Sequence, residues 1–292
     1  MSDIRIGISG WTYPPWRGVF YPEKLRQKDE LAYASSKFRT IEINGTFYGS
    51  QKPESYLKWY EATPKDFVFS VKAPRYITHI LRLREVETPL ANFFASGILR
   101  LGEKLGPVLW QFPPSMKFDE KLFAAFFAAL PQDTDQAVLL AKRHDSRSTR
   151  LKGKTWLETD KKRRLRHAVE IRHESFRDEN FVKLLRAHHI ALVCADTVAW
   201  PRLMDVTSDF IYCRLHGSEE LYASGYDAAA LRDWAGRIRS WVKGGEPPDA
   251  ERVAGPAKSR ESGRDVFLYF DNDIKVKAPA NAAELEKILG LT

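Results

Sequence analysis

The run His167-Ala168-Val169-Glu170-Ile171-Arg172-His173 places a carboxylate and a guanidinium two residues apart inside an apolar stretch. Side chains alternate across a strand, so Glu170 and Arg172 share one face while Val169 and Ile171 share the other. A strand buried on both faces should be almost wholly aliphatic. Buried charges are costly unless paired or hydrogen-bonded, so these two either partner each other in a core or line a polar cavity. The same sharing of a face recurs in Glu42 with Asn44, Ser70 with Lys72 and Arg214 with His216. Gln111, Asp196 and Asn272 stand at the ends of further apolar runs.

Glu42 and Glu170 are the first candidates for acid–base work, with His216 as a third. A carboxylate beside Arg172 or Lys72 stays ionised, whereas a drier one is raised in pKa and can donate a proton. Such a pair suits glycoside or other acid–base chemistry. The bland alternative makes Glu170–Arg172 and Glu42–Lys72 ion pairs that stabilise a rim. Arg214 and His216, with His79, His173 and Lys72, could hold a phosphate or carboxylate; against this, a lone histidine is more often a satisfied structural side chain. Glu42, Glu170, His173, Asp196 and His216 could together offer a divalent metal oxygen and nitrogen ligands. No compact ligand motif exists, since His173-Glu174 lacks the second histidine of His-Glu-x-x-His, so no metal and no cofactor is expected. Trp11, Tyr13 and Tyr48 read as pocket wall, able to stack on a sugar or base, and Trp16 and Phe47 as core.

These residues need a scaffold that brings many strand ends together. Strand-like runs fall at 4–9, 40–44, 66–72, 107–112, 166–172, 190–195, 210–216 and 266–270. Helix-period segments at 31–38, 54–61, 90–105, 119–130, 178–188, 229–242 and 282–289 lie between them. Alternation of strand and helix implies a parallel sheet, and eight strands in 292 residues point to a single α/β domain, a (β/α)8 barrel of the TIM type. Segments 142–166 and 244–263 read as insertions in it. A doubly wound open sheet is the rival, but no dinucleotide fingerprint or P-loop is present. Gly7-Ile8-Ser9-Gly10-Trp11 lacks the last glycine of a nucleophile elbow. In a barrel the C-terminal rim of the strands carries the chemistry, and nearly every run ends there in a polar residue.

The aromatic content, 12% of residues, argues against disorder. No apolar run approaches the ~20 residues of a membrane span, and the first residues carry no signal-peptide core, so the expected compartment is the cytoplasm with no membrane partner. Cys194 and Cys213 read as reduced, buried thiols. The net charge of +8 is concentrated: segment 142–166 holds eleven Lys or Arg against three Asp or Glu, and the remainder is balanced. Such a run could grip nucleic acid, or be a solvated basic loop; Trp156 is its only aromatic.

Several motifs carry a family resemblance. They include Gly7-Ile8-Ser9-Gly10-Trp11, Glu42-Ile43-Asn44-Gly45-Thr46-Phe47-Tyr48, Phe67-Val68-Phe69-Ser70-Val71-Lys72, Gln111-Phe112-Pro113-Pro114, Val169-Glu170-Ile171-Arg172-His173, Tyr212-Cys213-Arg214-Leu215-His216-Gly217 and Tyr269-Phe270-Asp271-Asn272. Over essentially the whole chain these resemble the YecE-like proteins, domain-of-unknown-function family seventy-two. The resemblance implies a TIM-type barrel and supplies no reaction. Its barrel is similar to those of the xylose-isomerase and endonuclease IV type, a likeness of fold alone. Segment 142–166 is longer than the connection expected there.

The sequence therefore predicts a polar, mixed-charge pocket at the C-terminal mouth of a barrel, acting by acid–base catalysis on an anionic or polyhydroxylated substrate such as a phosphate ester, sugar or nucleic acid. Glu42, Glu170 and His216 would move protons. Lys72, Arg172, His173 and Arg214 would hold negative charge. Asn44, Gln111, Asp196 and Asn272 would orient the ligand, against a wall of Trp11, Tyr13 and Tyr48. The alternatives are a non-catalytic module that binds nucleic acid through 142–166, and a protein–protein adaptor.

Overall fold

Eight parallel strands pair in chain order, and the last closes onto the first. They are β1 (Ile4–Ser9), β2 (Thr40–Ile43), β3 (Val68–Lys72), β4 (Leu105–Gln111), β5 (His167–Glu170), β6 (Ala191–Asp196), β7 (Phe210–Leu215) and β8 (Asp265–Phe270). The structure, a computed structural model, describes residues 2–147, 153–217, 221–222, 224–272 and 276–291. The chain is thus an α/β barrel of the TIM type.

Alternation divides each strand between two cores. Outward residues such as Ile6, Ile8, Ile41, Ile43, Val71, Trp110 and Val169 meet the surrounding helices. Inward residues fill the barrel: Leu109, Ala168, Ala191, Val193, Phe210 and Phe267 make an apolar plug. Above it, the Tyr269 hydroxyl sits 2.7 Å from Thr40 Oγ1 and 2.6 Å from Ser70 Oγ. Higher still, the inward positions become Ser9, Glu42, Lys72, Gln111, Glu170 and Arg214, all buried. The polarity gradient along the barrel axis is what makes the top layer a candidate site.

Helices follow seven of the strands, at Glu30–Ser35, Pro53–Glu61, Glu87–Ala95, Glu120–Ala129, Glu179–Ala187, Ala228–Val242 and Lys277–Leu289. Aspartates cap four helix starts: Asp119 accepts from the amide of Leu122, Asp133 from Gln136, Asp178 from Asn180 and Asp227 from Ala230. The predicted helix over 90–105 is instead two pieces. Gly97 adopts φ +109°, and a Cβ there would lie 2.5 Å from Pro53 Cα, so the chain turns at that glycine and continues as a 3-10 segment, Ile98–Lys104. An additional helix, Thr134–Ala141, precedes the basic segment.

Between β6 and β7 the crossover is irregular. Leu203, Met204 and Val206 are buried there, and Asp205 accepts hydrogen bonds from the amides of Val253 (3.1 Å) and Ala254 (2.9 Å). Part of segment 244–263 therefore covers the flank on which other barrel units carry a helix. Cys194 and Cys213, opposite each other on β6 and β7, are free and buried.

Residues 148–152 of the basic segment lie outside the described residues. Its C-terminal part is tied to carboxylates: Lys162 to Asp133 (3.2 Å), Arg163 to Asp160 (2.6 Å), Arg164 to Asp209 and Arg166 to Asp265 (2.8 Å). Asp265 begins β8, so Arg166 sits at the N-terminal end of the barrel, opposite the polar layer. Among the described residues no helix is long and apolar enough to cross a membrane.

Candidate active site

Arg214, wholly buried on β7, is the centre of the top layer. Its Nε donates to Glu42 Oε2 (3.1 Å) and Nη2 to Glu42 Oε1 (2.9 Å). Nη1 donates to Glu170 Oε2 (2.8 Å). Nη2 further reaches Asp271 Oδ2 (2.8 Å) and Ser9 Oγ (3.0 Å). One guanidinium thus joins side chains from β1, β2, β5 and the end of β8. Charge-assisted, partly bidentate bonds of this kind are geometrically demanding, and only arginine presents donors in such a fork. Burial works to lower the Arg214 pKa, but the three carboxylates outweigh it and raise it well above its usual value.

Both predicted acid–base glutamates have their oxygens occupied. Glu42 accepts from Arg214, from the Ser9 hydroxyl and from the Tyr212 hydroxyl (2.6 Å). Glu170 Oε1 accepts from Gln111 Nε2 (2.9 Å) and Arg172 Nε (2.8 Å), while Arg214 takes Oε2. Burial would raise the Glu170 pKa; the guanidiniums of Arg172 and Arg214, with His216 and Lys72 beyond, hold it well below the carboxylate range. Asp271 is likewise held low, by Arg214 and by the contact with His216. The cation at the centre of this carboxylate ring is a guanidinium. Among the described residues no His, Cys, Asp or Glu group has a metal-binding arrangement.

Two groups remain free to exchange protons. The imidazole of His216 is buried between Trp200 (5.3 Å, edge-on) and Tyr222 (5.4 Å, edge-on). Its Nδ1 lies 2.9 Å from Asp271 Oδ2, off the line a ring N–H needs, so neither ring nitrogen makes a well-aligned hydrogen bond among the described residues. Burial lowers its pKa, against the pull of Asp271, and keeps the ring neutral. Lys72 ends β3 with its Nζ 4.3 Å from the Phe47 ring centroid. The residue is 7% exposed, and among the described residues Nζ has no hydrogen bond or ion pair. Burial pushes its pKa down to about 8; Arg214 pushes the same way, while Glu42, Asp271 and Glu170 oppose. His79, beside Phe47 (5.1 Å, edge-on), is lowered to about 4 by burial and by Arg172 and Lys72.

The structure brings Glu42, Lys72, Gln111, Glu170, Arg172, Arg214 and His216 together. Asn44 joins them through its amide, which donates to Ser9 Oγ (3.1 Å). Tyr13 reaches the same strand end, donating to the Ser9 carbonyl. Glu170–Arg172 is an ion pair, whereas Glu42 pairs with Arg214 rather than Lys72.

Other predicted positions point elsewhere. Trp11 packs edge-on against Trp59 (5.5 Å) and near Phe69, outside the barrel, because Gly10 at φ +91° breaks the alternation after Ser9. Tyr48 is 73% exposed on an outer groove beyond Phe47. His173 Nδ1 accepts from the Ser175 amide and caps the turn Glu174–Phe176. Asp196 is held by Arg202 (3.1 Å). Asn272 is turned to Ser224 and Asn281, and the residue before it, Asp271, is the one that meets Arg214. Sequence reasoning also passed over Tyr212 and Trp200, whose ring lies 4.0 Å from the Arg172 guanidinium.

Comparison with other proteins matches residues 5–292 to a family described as "Protein of unknown function DUF72". The UPF0759 protein YecE of Escherichia coli is 32% identical over 127 residues, 39% of this chain and 44% of that protein. The UPF0759 protein YunF of Bacillus subtilis is 32% identical over 116 residues, 38% of this chain and 40% of that protein. Each match thus spans less than half of the relative. Among solved structures, a DUF72 family protein of Thermotoga maritima aligns over 99% of both chains with a TM-score of 0.71 and 25% identity. One from Enterococcus faecalis covers 99% of this chain and 96% of its own, with a TM-score of 0.67 and 18% identity, a likeness of fold.

Proposed function

The chain belongs to the DUF72 family, whose description names no reaction, and from that premise we propose that its barrel mouth is an acid–base site for a small, negatively charged organic substrate. The observation that carries this reading is Lys72. A buried ammonium lies beside three carboxylates that are all committed to other donors, and its own three donors have no acceptor among the described residues. An anion docked against this ammonium would make charge-assisted hydrogen bonds with those donors.

In this reading Lys72 and Arg172 hold the negative charge, and Lys72 and His216 move protons. Glu42, Glu170 and Asp271 fix Arg214 and set the field around both. The carboxylates are less suited to acid–base work: Glu170 is held ionised, and both glutamates spend their lone pairs on fixed donors. The basic segment supports a nucleic-acid reading less well, since Lys162, Arg163, Arg164 and Arg166 are already paired with carboxylates.

Calorimetric titration with phosphate, small carboxylic acids, sugar phosphates and the matching neutral sugars tests the reading. Anionic compounds should bind, with at least a tenfold loss in Lys72→Met and in Arg172→Gln, and at least one of the organic anions that bind should be turned over by the parent and not by Lys72→Met. Preference for the neutral sugars, or affinity in both variants unchanged from the parent, would overturn it.

A further inference from the structure

This chain carries a second buried lysine, and the contrast between the two is informative. Lys104 donates to the carbonyls of Tyr60 (2.6 Å) and Thr63 (2.8 Å) and to Thr63 Oγ1 (3.1 Å), and it lies 4.3 Å from the Tyr60 ring. That is how a structural lysine is satisfied here: three donors, three acceptors. Lys72 has a comparable aromatic neighbour in Phe47 and no acceptor among the described residues. The imidazole of His216 has no well-aligned hydrogen bond among the described residues, and Glu170 and Asp271 feel the charge of both Lys72 and His216.

We propose that Lys72 is a nucleophile that forms an imine with a small aldehyde or ketone carrying a carboxylate or phosphate. This rests on the reading of the mouth as an anion site and names its substrate class. The bonding suits the pocket. An iminium nitrogen carries one N–H where the ammonium carries three, so it asks for fewer acceptors at a position where no protein acceptor is found among the described residues.

The step balances without an oxidant or reductant. His216 takes a proton from the ammonium. The amine lone pair attacks the carbonyl carbon, a C–N bond forms, and the C=O π pair moves to oxygen, which takes up a proton from nitrogen. His216 returns its proton to that hydroxyl, the C–O bond breaks, water leaves, and the nitrogen lone pair closes C=N. The net change is ammonium plus carbonyl to iminium plus water. Arg172, held over Trp200 with 12% of its side chain exposed, is placed to meet the anionic group. The lowered pKa supports the assignment, because the free-amine fraction at neutral pH exceeds that of an ordinary lysine by on the order of a hundredfold.

Sodium borohydride trapping tests it. The full chain is incubated with pyruvate or glyceraldehyde 3-phosphate, reduced, and mapped by peptide mass spectrometry, with calorimetry of the same compounds in parallel. A single reduced adduct on Lys72, formed at least tenfold faster than on Lys104 or any surface lysine and absent in Lys72→Met, is expected. Lys72→Arg keeps the charge and checks that the loss is not one of folding. Binding that depends on Lys72 without any adduct would overturn the imine and leave the anion site standing. Neither binding nor adduct would overturn both.

Discussion

Arg214 and Glu42 face each other across the barrel, from β7 to β2, through two parallel hydrogen bonds of 3.1 and 2.9 Å with both side chains wholly buried. The same guanidinium also pairs with Glu170 and Asp271, so one cation bonds to three carboxylates, and Arg172 shares Glu170 with it. Removing one partner of a buried ion pair strands the other charge, at a cost of about 3–5 kcal/mol. Arg214→Met should lose at least that much stability in urea unfolding. Arg214→Lys keeps the charge but not the fork and should recover only part. An unchanged midpoint in Arg214→Met would show that the network contributes nothing.

Lys72 leads to the opposite expectation. Its pKa falls from about 10.5 unfolded to about 8 folded, mainly through burial, so the native state resists the proton that the unfolded chain accepts. Between those values the unfolded state binds more protons and stability rises with pH; below about 8 the whole penalty applies, roughly 3 kcal/mol at 1.36 kcal/mol per unit. Lys72→Met should therefore be more stable than the parent at pH 7, by up to about that amount, and the gap should close as pH approaches about 10. Guanidinium unfolding at pH 7, 9 and 10 reads this directly. A variant less stable at pH 7 would mean that the amine has a structural partner.

How much of this could be read in advance follows from strand parity. Glu42, Lys72, Gln111, Glu170 and Arg214 were legible because each lies an even number of residues from an inward-facing apolar or hydroxylic position on its own strand. Parity fails where the strand ends. Gly10 turns Trp11 outward, and counting from the end of β8 picks Asn272, although Phe267 and Tyr269 inside the barrel make Asp271 the next inward residue. Glu42 finds Arg214 rather than Lys72 because an arginine on β7 is long enough to cross the barrel, a distance that no local pattern encodes. Tyr212 hides its hydroxyl in an aromatic run, and Trp200 lies in a helix-free crossover without periodicity.

Acid should weaken the fold in two stages. His167, fully buried, accepts from Trp110 Nε1 (3.1 Å) at Nδ1 and donates from Nε2 to the Pro131 carbonyl (2.8 Å), so it is a fixed neutral tautomer with its pKa lowered by burial to about 4. The unfolded chain protonates it near 6.5. Its contribution is complete above that value and is lost as pH falls toward about 4, roughly 3 kcal/mol in all. Glu170 and Asp271 act later: their folded pKa values are depressed, so their stabilisation is whole above the ordinary carboxylate range, near 4, and disappears below it. His167→Gln, whose amide can donate to Pro131 and accept from Trp110, should flatten the loss between pH 6.5 and 4 and leave the steeper fall below pH 4. Unfolding free energies at closely spaced pH values distinguish the two limbs.

Asp271→Asn separates the electrostatic role of Asp271 from its packing. The carboxylate accepts from Arg214 Nη2 at 2.8 Å, and its charge raises the pKa of both Lys72 and His216. Asparagine has nearly the same shape and can still accept one hydrogen bond through its carbonyl. The variant should lose about 1.5–3 kcal/mol, the range for a hydrogen bond to a charged group. With that negative charge gone, both Lys72 and His216 become harder to protonate, so the Lys72 titration should move below about 8 and that of His216 further below its ordinary value. NMR titration with carbon-13 labels on the lysine ε-carbon and the histidine ring follows each group separately. Downward shifts at both would show that one carboxylate sets the field for the two proton-exchanging groups. A Lys72 titration that stays in place would mean that Glu42 and Glu170 dominate its field, and would confine Asp271 to holding Arg214.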